Sequence, residues 1–234
     1  MDILYTIANK YDGEELKYSL RSLVNIPHDR VFVVGYLPRW LKNVIHIPTE
    51  QTGTKWENVP RNLRVACNDD RLSANFILMN DDFFILEPIK RPTKELNLNL
   101  GTFQDVLTRL NKIHDTPTNY MRGMAETSEL IKAQGVSEPL SYEMHTPFIY
   151  NKKKLLKVLD LPGADKISCL QHRSLYGNLY LKGGEKQKDV KVFMRDGFLQ
   201  PRKDAKFLSC DDAGFYIVQH YLFCKFPNKS IYEV

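Results

Sequence analysis

Short apolar runs rich in β-branched residues alternate with helical patterns over the first 90 residues. Between the first two runs, Leu16, Leu20 and Leu23 recur at helical spacing, and Pro27 ends that pattern. Strands that alternate with helices usually pair in parallel, so the pattern predicts an α/β fold with a mostly parallel sheet flanked by helices. The four runs are DILYTIA (2–8), RVFVVGY (30–36), NVIHIP (43–48) and ANFILMN (74–80).

Two adjacent aspartates, Asp81 and Asp82, follow the fourth run before the apolar pattern resumes at Phe83. A nearly continuous apolar run is typical of a strand buried on both faces, and such sheets bind ligands at the carboxyl ends of their strands. Two buried carboxylates repel each other unless a cation lies between them. The pair is therefore interpreted either as a Mg²⁺ or Mn²⁺ site for a phosphate-bearing ligand or as a solvent-exposed turn.

Further candidates for catalysis lie in the second half of the chain. Asp211 and Asp212 precede the closing helix, where they serve either as a helix N-cap together with Ser209 or as a catalytic base or second metal contact. His145 lies just before Pro147 in a segment expected to be extended. Its imidazole is interpreted as a metal ligand, a proton acceptor or a hydrogen-bonded structural group.

A polar cluster surrounds Gly177. Arg173, Ser174 and Asn178 place a guanidinium and two polar side chains beside this glycine, a composition that suits contacts with a phosphate or a sugar. A salt bridge within the loop would explain Arg173 nearly as well. The sequence before this cluster predicts a helix after Pro60, helices over 103–114 and 118–134, and a basic helix that ends at Pro162.

Composition narrows the class of protein. The chain has 234 residues, of which 43% are hydrophobic and 26% charged, as expected of a folded globular protein. It contains no apolar run of about 18 residues, which a membrane-spanning helix requires, and no basic leader at its N-terminus, so we expect a cytoplasmic protein. Its four cysteines form no C-x-x-C pair, and P-loop, dinucleotide-binding, zincin and serine-hydrolase motifs are absent from the sequence. The formal charge of +5 favours anionic partners.

Three segments together resemble a known family. EELKYSLRSL (14–23), LPRWLKN (37–43) and FILMNDDFFI (76–85) are similar in order and spacing to Stealth-type sugar-phosphate transferases and related small bacterial and bacteriophage glycosyltransferases. MHTPFIYNKKKLL (144–156) is similar to the H-x-P segment of that group, and FLSCDDAGF (207–215) resembles its C-terminal region more loosely. The resemblance implies a single GT-A-like domain over 1–234, with a nucleotide-sugar-binding half (1–90) and an acceptor-side half (91–234).

The resemblance also implies roles for individual residues. Asn80, Asp81 and Asp82 would bind the donor and a Mn²⁺ or Mg²⁺ ion, Arg21 would have a donor-binding or structural role, and His145 would lie near the metal or the reaction centre. The implied activity is transfer of a sugar from a nucleotide-sugar to a hydroxyl of a glycan or of a phage-modified DNA base. Two alternatives stay open: transfer of the sugar with its phosphate, and a non-catalytic module that binds a glycan or a protein.

Overall fold

The structure is a computed structural model that describes residues 1–8, 13–197, 201 and 204–234. Part of the segment before the first helix and part of the segment before the last strand therefore lie outside the described residues. The strands are β1 (Asp2–Ile7), β2 (Val31–Gly35), β3 (Ile45–Ile47), β4 (Asn75–Met79), β5 (Phe83–Ile85), β6 (Leu98–Asn99), β7 (Phe148–Asn151), β8 (Glu185–Lys186), β9 (Lys191–Val192) and β10 (Phe207–Cys210).

Helices connect and cover these strands. In the described residues, 3₁₀ turns extend the first helix (Leu23–Asn25), follow the sixth (Ala164–Lys166) and follow β9 (Met194–Asp196), and a π-helical turn over Gly177–Leu181 follows the seventh helix. The α-helices are α1 (Glu15–Ser22), α2 (Lys55–Asn68), α3 (Pro92–Glu95), α4 (Phe103–Leu110), α5 (Asn119–Ala133), α6 (Lys152–Leu159), α7 (His172–Tyr176) and α8 (Asp212–Lys225).

The central sheet has five strands in the order β3-β2-β1-β4-β7. β1, β2, β3 and β4 all run parallel to one another, and β7 joins the edge antiparallel to β4. The middle strands are buried on both faces, which explains why the sequence of β2 and β4 is apolar without alternation. The predicted α/β fold with a mostly parallel sheet flanked by helices is confirmed.

The chain leaves this sheet directly after β4. β5 begins only four residues after β4 ends, and it pairs antiparallel with β10 in a second sheet of order β5-β10-β9. β9 is parallel to β10. A second apolar cluster, built around Phe84, Leu208 and Val218, joins this small sheet to α8. The C-terminal half is therefore helical and mixed, as predicted.

The sequence misplaces the start of α2. A helix after Pro60 is predicted, but α2 begins at Lys55 and contains Pro60. Thr54 and Glu57 form a capping box: the Thr54 side chain accepts the backbone N–H of Glu57, and the Glu57 carboxylate accepts the backbone N–H of Thr54. This cap fixes the start of the helix at Lys55. Pro60 lacks one intrahelical N–H donor, which the cap and the packing of the following turns offset. None of the helices in the described ranges has the length and apolarity needed to cross a membrane.

Candidate active site

A cleft of about 400 Å³ lies at the carboxyl ends of two neighbouring parallel strands, β1 and β4. Ligand sites of open α/β sheets form at this edge because the strand ends and the loops that follow them meet there. The other walls come from the first turn of α2, the start of α5, the segment 143–145, the residues around the start of α7, and Lys191 in β9.

The turn between β4 and β5 forms the floor of the cleft and holds Asn80, Asp81 and Asp82. The backbone N–H of Phe83 donates to the carbonyl oxygen of Asn80 at 3.2 Å and closes the turn. One carboxylate oxygen of Asp82, Oδ2, lies 3.3 Å from Nζ of Lys191 and accepts a hydrogen bond from Oγ of Ser209 at 3.2 Å. The predicted position of these three polar residues at a strand end is thus observed, and their charge is partly balanced by a lysine that no sequence pattern indicates.

His145 lines the same cleft and is held in place by Asp189. Its Nδ1 lies 2.7 Å from Oδ2 of Asp189, and its ring meets the ring of Phe83 edge-on at a centroid distance of 6.3 Å. Burial opposes ionisation of Asp189, but the histidine and two backbone N–H groups outweigh it and hold the pKa of Asp189 below its ordinary value. A carboxylate that binds Nδ1–H leaves Nε2 as the nitrogen available to a ligand or metal.

The residues present fit a hard divalent cation. Carboxylate oxygens and an imidazole oriented by a second carboxylate are suitable ligands for Mn²⁺, and Oδ1 of Asp82 accepts no hydrogen bond from the described part of the chain. Among the described residues, no group of three or more histidine, cysteine, aspartate or glutamate side chains is already gathered closely enough to form a complete site. Phosphate oxygens and water would have to supply the remaining ligands.

Arg173 lines the cleft, but its guanidinium mainly contacts other groups of the protein. Its Nη1 donates to the carbonyl oxygens of Met144 and Thr146, both at 2.8 Å, and its guanidinium lies over the rings of Phe83 and Phe148. These contacts tie α7 to the segment that carries His145. The guanidinium thus holds the segment that carries His145 in place, and its positive charge lies at a fixed position beside the cleft.

Glu143 and Gln171 are cleft residues that sequence reasoning missed. Oε1 of Glu143 accepts hydrogen bonds from the backbone N–H and Oγ of Ser174 at 2.9 and 3.0 Å. Gln171, which is only 2% exposed, has a buried side-chain oxygen without a hydrogen-bond partner among the described residues. No local sequence pattern marks either residue, because Glu143 lies in a loop and Gln171 precedes a five-residue helix.

An aromatic pair forms another wall. Trp56 in the first turn of α2 and Tyr120 in the first turn of α5 face each other at a ring-centroid distance of 6.3 Å, and Nζ of Lys55 lies 4.6 Å from the Trp56 ring centroid. Aromatic faces of this kind bind the apolar faces of sugars and bases. The earlier start of α2 brings Trp56 into the cleft, and a helix that began after Pro60 would not contain this residue.

Several residues selected from sequence lie away from the cleft. Arg21 forms a two-point ion pair with Glu233 near the C-terminus, with an Nη2 to Oε2 distance of 2.7 Å. Asn178 is buried and bonds to both backbone groups of Leu140. Ser174 is buried behind Glu143, which it orients. These three residues contribute to the site through the scaffold.

The second aspartate pair also lies outside the cleft lining. Asp211 is the N-cap of α8, where its Oδ1 accepts the backbone N–H of Gly214 at 2.7 Å. Asp212 occupies the exposed first turn of the same helix. Ser209, expected to share the cap, instead donates to Asp82 across the small sheet.

Comparison with solved structures defines the fold. The galactosyltransferase LgtC, in a complex with donor and acceptor sugar analogs, superimposes with a TM-score of 0.54 over 99% of this chain and 98% of LgtC, at 11% identity. An active-site mutant of LgtC gives a TM-score of 0.52 at 10% identity over the same shares. The chain has a GT-A fold. No protein-family model matches the sequence, and no curated protein matches it.

The likeness to LgtC covers both halves of the chain that line the cleft. The likeness extends over the whole chain, so the C-terminal half with its mixed sheet belongs to the shared architecture. At this identity the comparison supports the GT-A part of the sequence interpretation, and the narrower resemblance to Stealth-type enzymes stays a prediction.

Proposed function

We propose that the chain is a metal-dependent glycosyltransferase that moves a sugar from a nucleotide-sugar to an acceptor hydroxyl. The observation that carries the proposal is the Asn80–Asp82 turn, which lies in a cleft at the carboxyl end of β4 in a GT-A fold. In this proposal residues 1–90 supply most of the donor site, and residues 91–234 supply the opposite wall and the acceptor side of one domain.

Asp81, Asp82 and His145 would hold Mn²⁺ or Mg²⁺ together with the donor diphosphate. The ion, when bound, would neutralise the negative charge that develops on the leaving diphosphate. Lys191, 3.3 Å from Asp82, adds a fixed positive charge at the same place, and Asp189 keeps the histidine in one orientation. The proposal gives Asp211 and Asp212 no catalytic role, because Asp211 caps α8 and neither residue lines the cleft.

The proposal is tested by donor binding and turnover. Wild-type chain is screened by thermal shift against UDP-, GDP-, CMP- and ADP-linked sugars with and without Mn²⁺, and donors that bind are assayed for nucleotide release. We expect Asp82→Ala to abolish Mn²⁺-dependent stabilisation and turnover, and Asp70→Asn, an exposed aspartate outside the cleft, to leave both unchanged.

The products separate the alternatives. Sugar transfer releases a nucleoside diphosphate, whereas transfer of the sugar with its phosphate releases a nucleoside monophosphate. Stabilisation by a glycan but by no nucleotide-sugar would indicate a non-catalytic binding module and would overturn the proposal, as would full turnover by Asp82→Ala.

A groove with several basic side chains, unpaired among the described residues, supports DNA as an alternative acceptor of the sugar. This groove, of about 940 Å³, is lined by Lys90, Arg91, Lys94 and Lys188, whose side chains form no ion pair within the described ranges, and also by Lys206 and the acidic residues Glu95, Glu185 and Asp204. It borders the same chain segment, 188–191, that contributes Lys191 to the cleft. If DNA binds there, its affinity will fall steeply with salt, and Lys90→Ala with Lys94→Ala will reduce that salt dependence.

A further inference from the structure

Gln171 presents a buried hydrogen-bond acceptor that the protein leaves unused. Its backbone N–H donates to Oγ1 of Thr127 at 3.2 Å, and its Nε2 donates to the carbonyl oxygen of Cys169 at 3.0 Å. Turning the amide over would place its oxygen against that carbonyl, so the contacts fix Oε1 as the atom without a partner among the described residues. A buried acceptor left unpaired is destabilising, and a hydrogen bond from a ligand donor would recover that loss.

Glu143 adds a second acceptor beside it. The carboxylate is fixed by Ser174, three residues after Gln171, which occupies Oε1 and leaves Oε2 without a hydrogen bond in the described part of the chain. Both residues thus line the cleft, with Oε1 of Gln171 buried just beneath its surface and Oε2 of Glu143 without a hydrogen bond in the described ranges.

The cationic side chains that line the cleft already make hydrogen-bond, ion-pair or ring contacts within the protein. Lys191 lies against Asp82, Lys55 lies over the ring of Trp56, and Nη1 of Arg173 is bound to two backbone carbonyls. A ligand group placed against Glu143 and Gln171 thus meets acceptor oxygens, while the ammonium groups that line the described cleft are engaged elsewhere. Hydroxyl groups can donate to such oxygens, whereas a carboxylate on the ligand can only accept and would repel Glu143.

We propose that Gln171 and Glu143 bind hydroxyl groups of the transferred sugar and select a neutral sugar over one that carries a carboxylate. The inference rests on the proposed function, because it places the donor diphosphate at the Asn80–Asp82 turn of the same cleft. The sugar is attached directly to the diphosphate, and a cleft of about 400 Å³ leaves it close to the diphosphate-binding floor. The Trp56 and Tyr120 rings supply an apolar wall for the ring of such a sugar.

The test compares neutral and acidic sugars on the same nucleotide. Dissociation constants are measured by titration calorimetry with Mn²⁺ at pH 8 for UDP, UDP-glucose and UDP-glucuronic acid, and for GDP, GDP-mannose and GDP-mannuronic acid. We expect the wild-type chain to bind the neutral donor at least roughly tenfold more tightly than the matching acid, because the acid replaces a hydroxyl that can donate to these acceptor oxygens with a carboxylate that can only accept.

Two variants separate the contributions of the residues. Gln171→Met keeps the length of the side chain but removes the acceptor, so we expect the neutral donor to bind roughly tenfold more weakly while the free nucleoside diphosphate binds as before. Glu143→Gln removes the negative charge and should narrow the ratio between neutral and acidic donors. Gln104→Met, on the exposed face of α4, is the matched control and should change neither value.

The outcomes distinguish this inference from the proposed function. Binding of UDP or GDP without a preference for the neutral sugar, or unchanged binding of the neutral donor by Gln171→Met, would overturn the inference alone and leave water as the partner of Gln171. Absence of binding by every nucleotide and nucleotide-sugar would overturn the proposed function and the inference with it. The wild-type preference needs no variant, so a folding defect in Gln171→Met does not prevent the test.

Discussion

Oγ of Ser19 in α1 donates to the carbonyl oxygen of Phe83 in β5 at 2.7 Å, across 64 positions of sequence. One turn later, Oγ of Ser22 accepts the backbone N–H of Ile85 at 3.1 Å, and Nδ2 of Asn25 donates to the carbonyl of Ile85 at 2.7 Å. β5 pairs with β10 on its other edge, so the polar side chains of α1 and its 3₁₀ extension take the place of a neighbouring strand. The S-L-R-S pattern of the first helix thus fixes the strand that follows the aspartate turn.

Replacing Ser19 by alanine should destabilise the protein and disturb the turn together. Ser19 is fully buried, and its Oγ also lies 2.9 Å from the hydroxyl of Tyr5, so the change leaves both this hydroxyl and the Phe83 carbonyl without their partner. We expect a loss of about 1–3 kcal/mol in the free energy of unfolding, measured with urea. Ser137→Ala, at an exposed position, should change it by less than about 0.5 kcal/mol. Equal effects of the two changes would contradict the role given to Ser19.

The sequence predicts those parts of the structure that depend on local pattern. Four apolar runs and the leucine spacing of α1 suffice for the parallel sheet, because burial on both faces selects strands whose whole sequence is apolar. The aspartate turn follows from the same pattern, since it marks where an apolar strand ends. The predicted start of α2 is wrong because the capping box of Thr54 and Glu57 outweighs the usual preference for proline in the first turn.

Arg21 should support stability rather than donor binding. Its guanidinium binds Glu233 at two points, and the Glu233 side chain is only 4% exposed. Arg21→Ala leaves a buried carboxylate without its charged partner, with only the hydrogen bonds from Ser230 remaining among the described residues, and should lower the free energy of unfolding by about 3 kcal/mol. Affinity for the nucleotide-sugar, measured well below the melting temperature, should stay unchanged; a selective loss of donor affinity would instead place Arg21 in the donor site.

The same ion pair predicts a pH dependence. Burial alone would raise the pKa of Glu233, but Arg21 and the Ser230 backbone N–H together hold it below the ordinary value of 4.5. The stability that the pair contributes is therefore complete above about pH 4.5 and is lost as the pH falls through the lowered pKa. Glu233→Gln should show a shallower acid-side decline in melting temperature than wild type, and an identical decline would contradict this assignment.

Asp189 should control metal affinity through His145. It fixes the imidazole by accepting from Nδ1, and loss of such a partner typically weakens metal binding by roughly 10- to 100-fold. We expect this loss in Asp189→Asn when Mn²⁺ is titrated by electron paramagnetic resonance in the presence of a nucleotide that binds. Asp165→Asn, an exposed aspartate elsewhere, is the control. Unchanged Mn²⁺ affinity in Asp189→Asn would remove His145 from the proposed metal site.

The cleft can be predicted from sequence only where a strand end marks it. Glu143 reaches it from a loop, Gln171 from the position before a short helix and Lys191 from a two-residue strand, and none of these segments carries a periodic signal. Their placement depends on long-range contacts such as those of Arg173 with the carbonyls of the segment 144–146. The charge of Arg173 makes it a candidate in the sequence, but its role depends on partners that lie almost 30 residues away.

Gly123 in α5 should be required for the position of Gln171. A Cβ atom there would lie 2.3 Å from the carbonyl oxygen of Cys169, the same oxygen that accepts Nε2 of Gln171. Alanine in a helix interior normally stabilises by about 1 kcal/mol relative to glycine, but overpacking against backbone costs about 1–3 kcal/mol, so we expect Gly123→Ala to be destabilising on balance. The shift of Cys169 should also displace Gln171 and weaken binding of the neutral nucleotide-sugar more than binding of the nucleotide alone. Glu126→Ala, on the exposed face of the same helix, is the control and should leave both the stability and the donor affinity unchanged. A Gly123→Ala chain as stable as wild type would contradict the close packing of α5 on the backbone of Cys169.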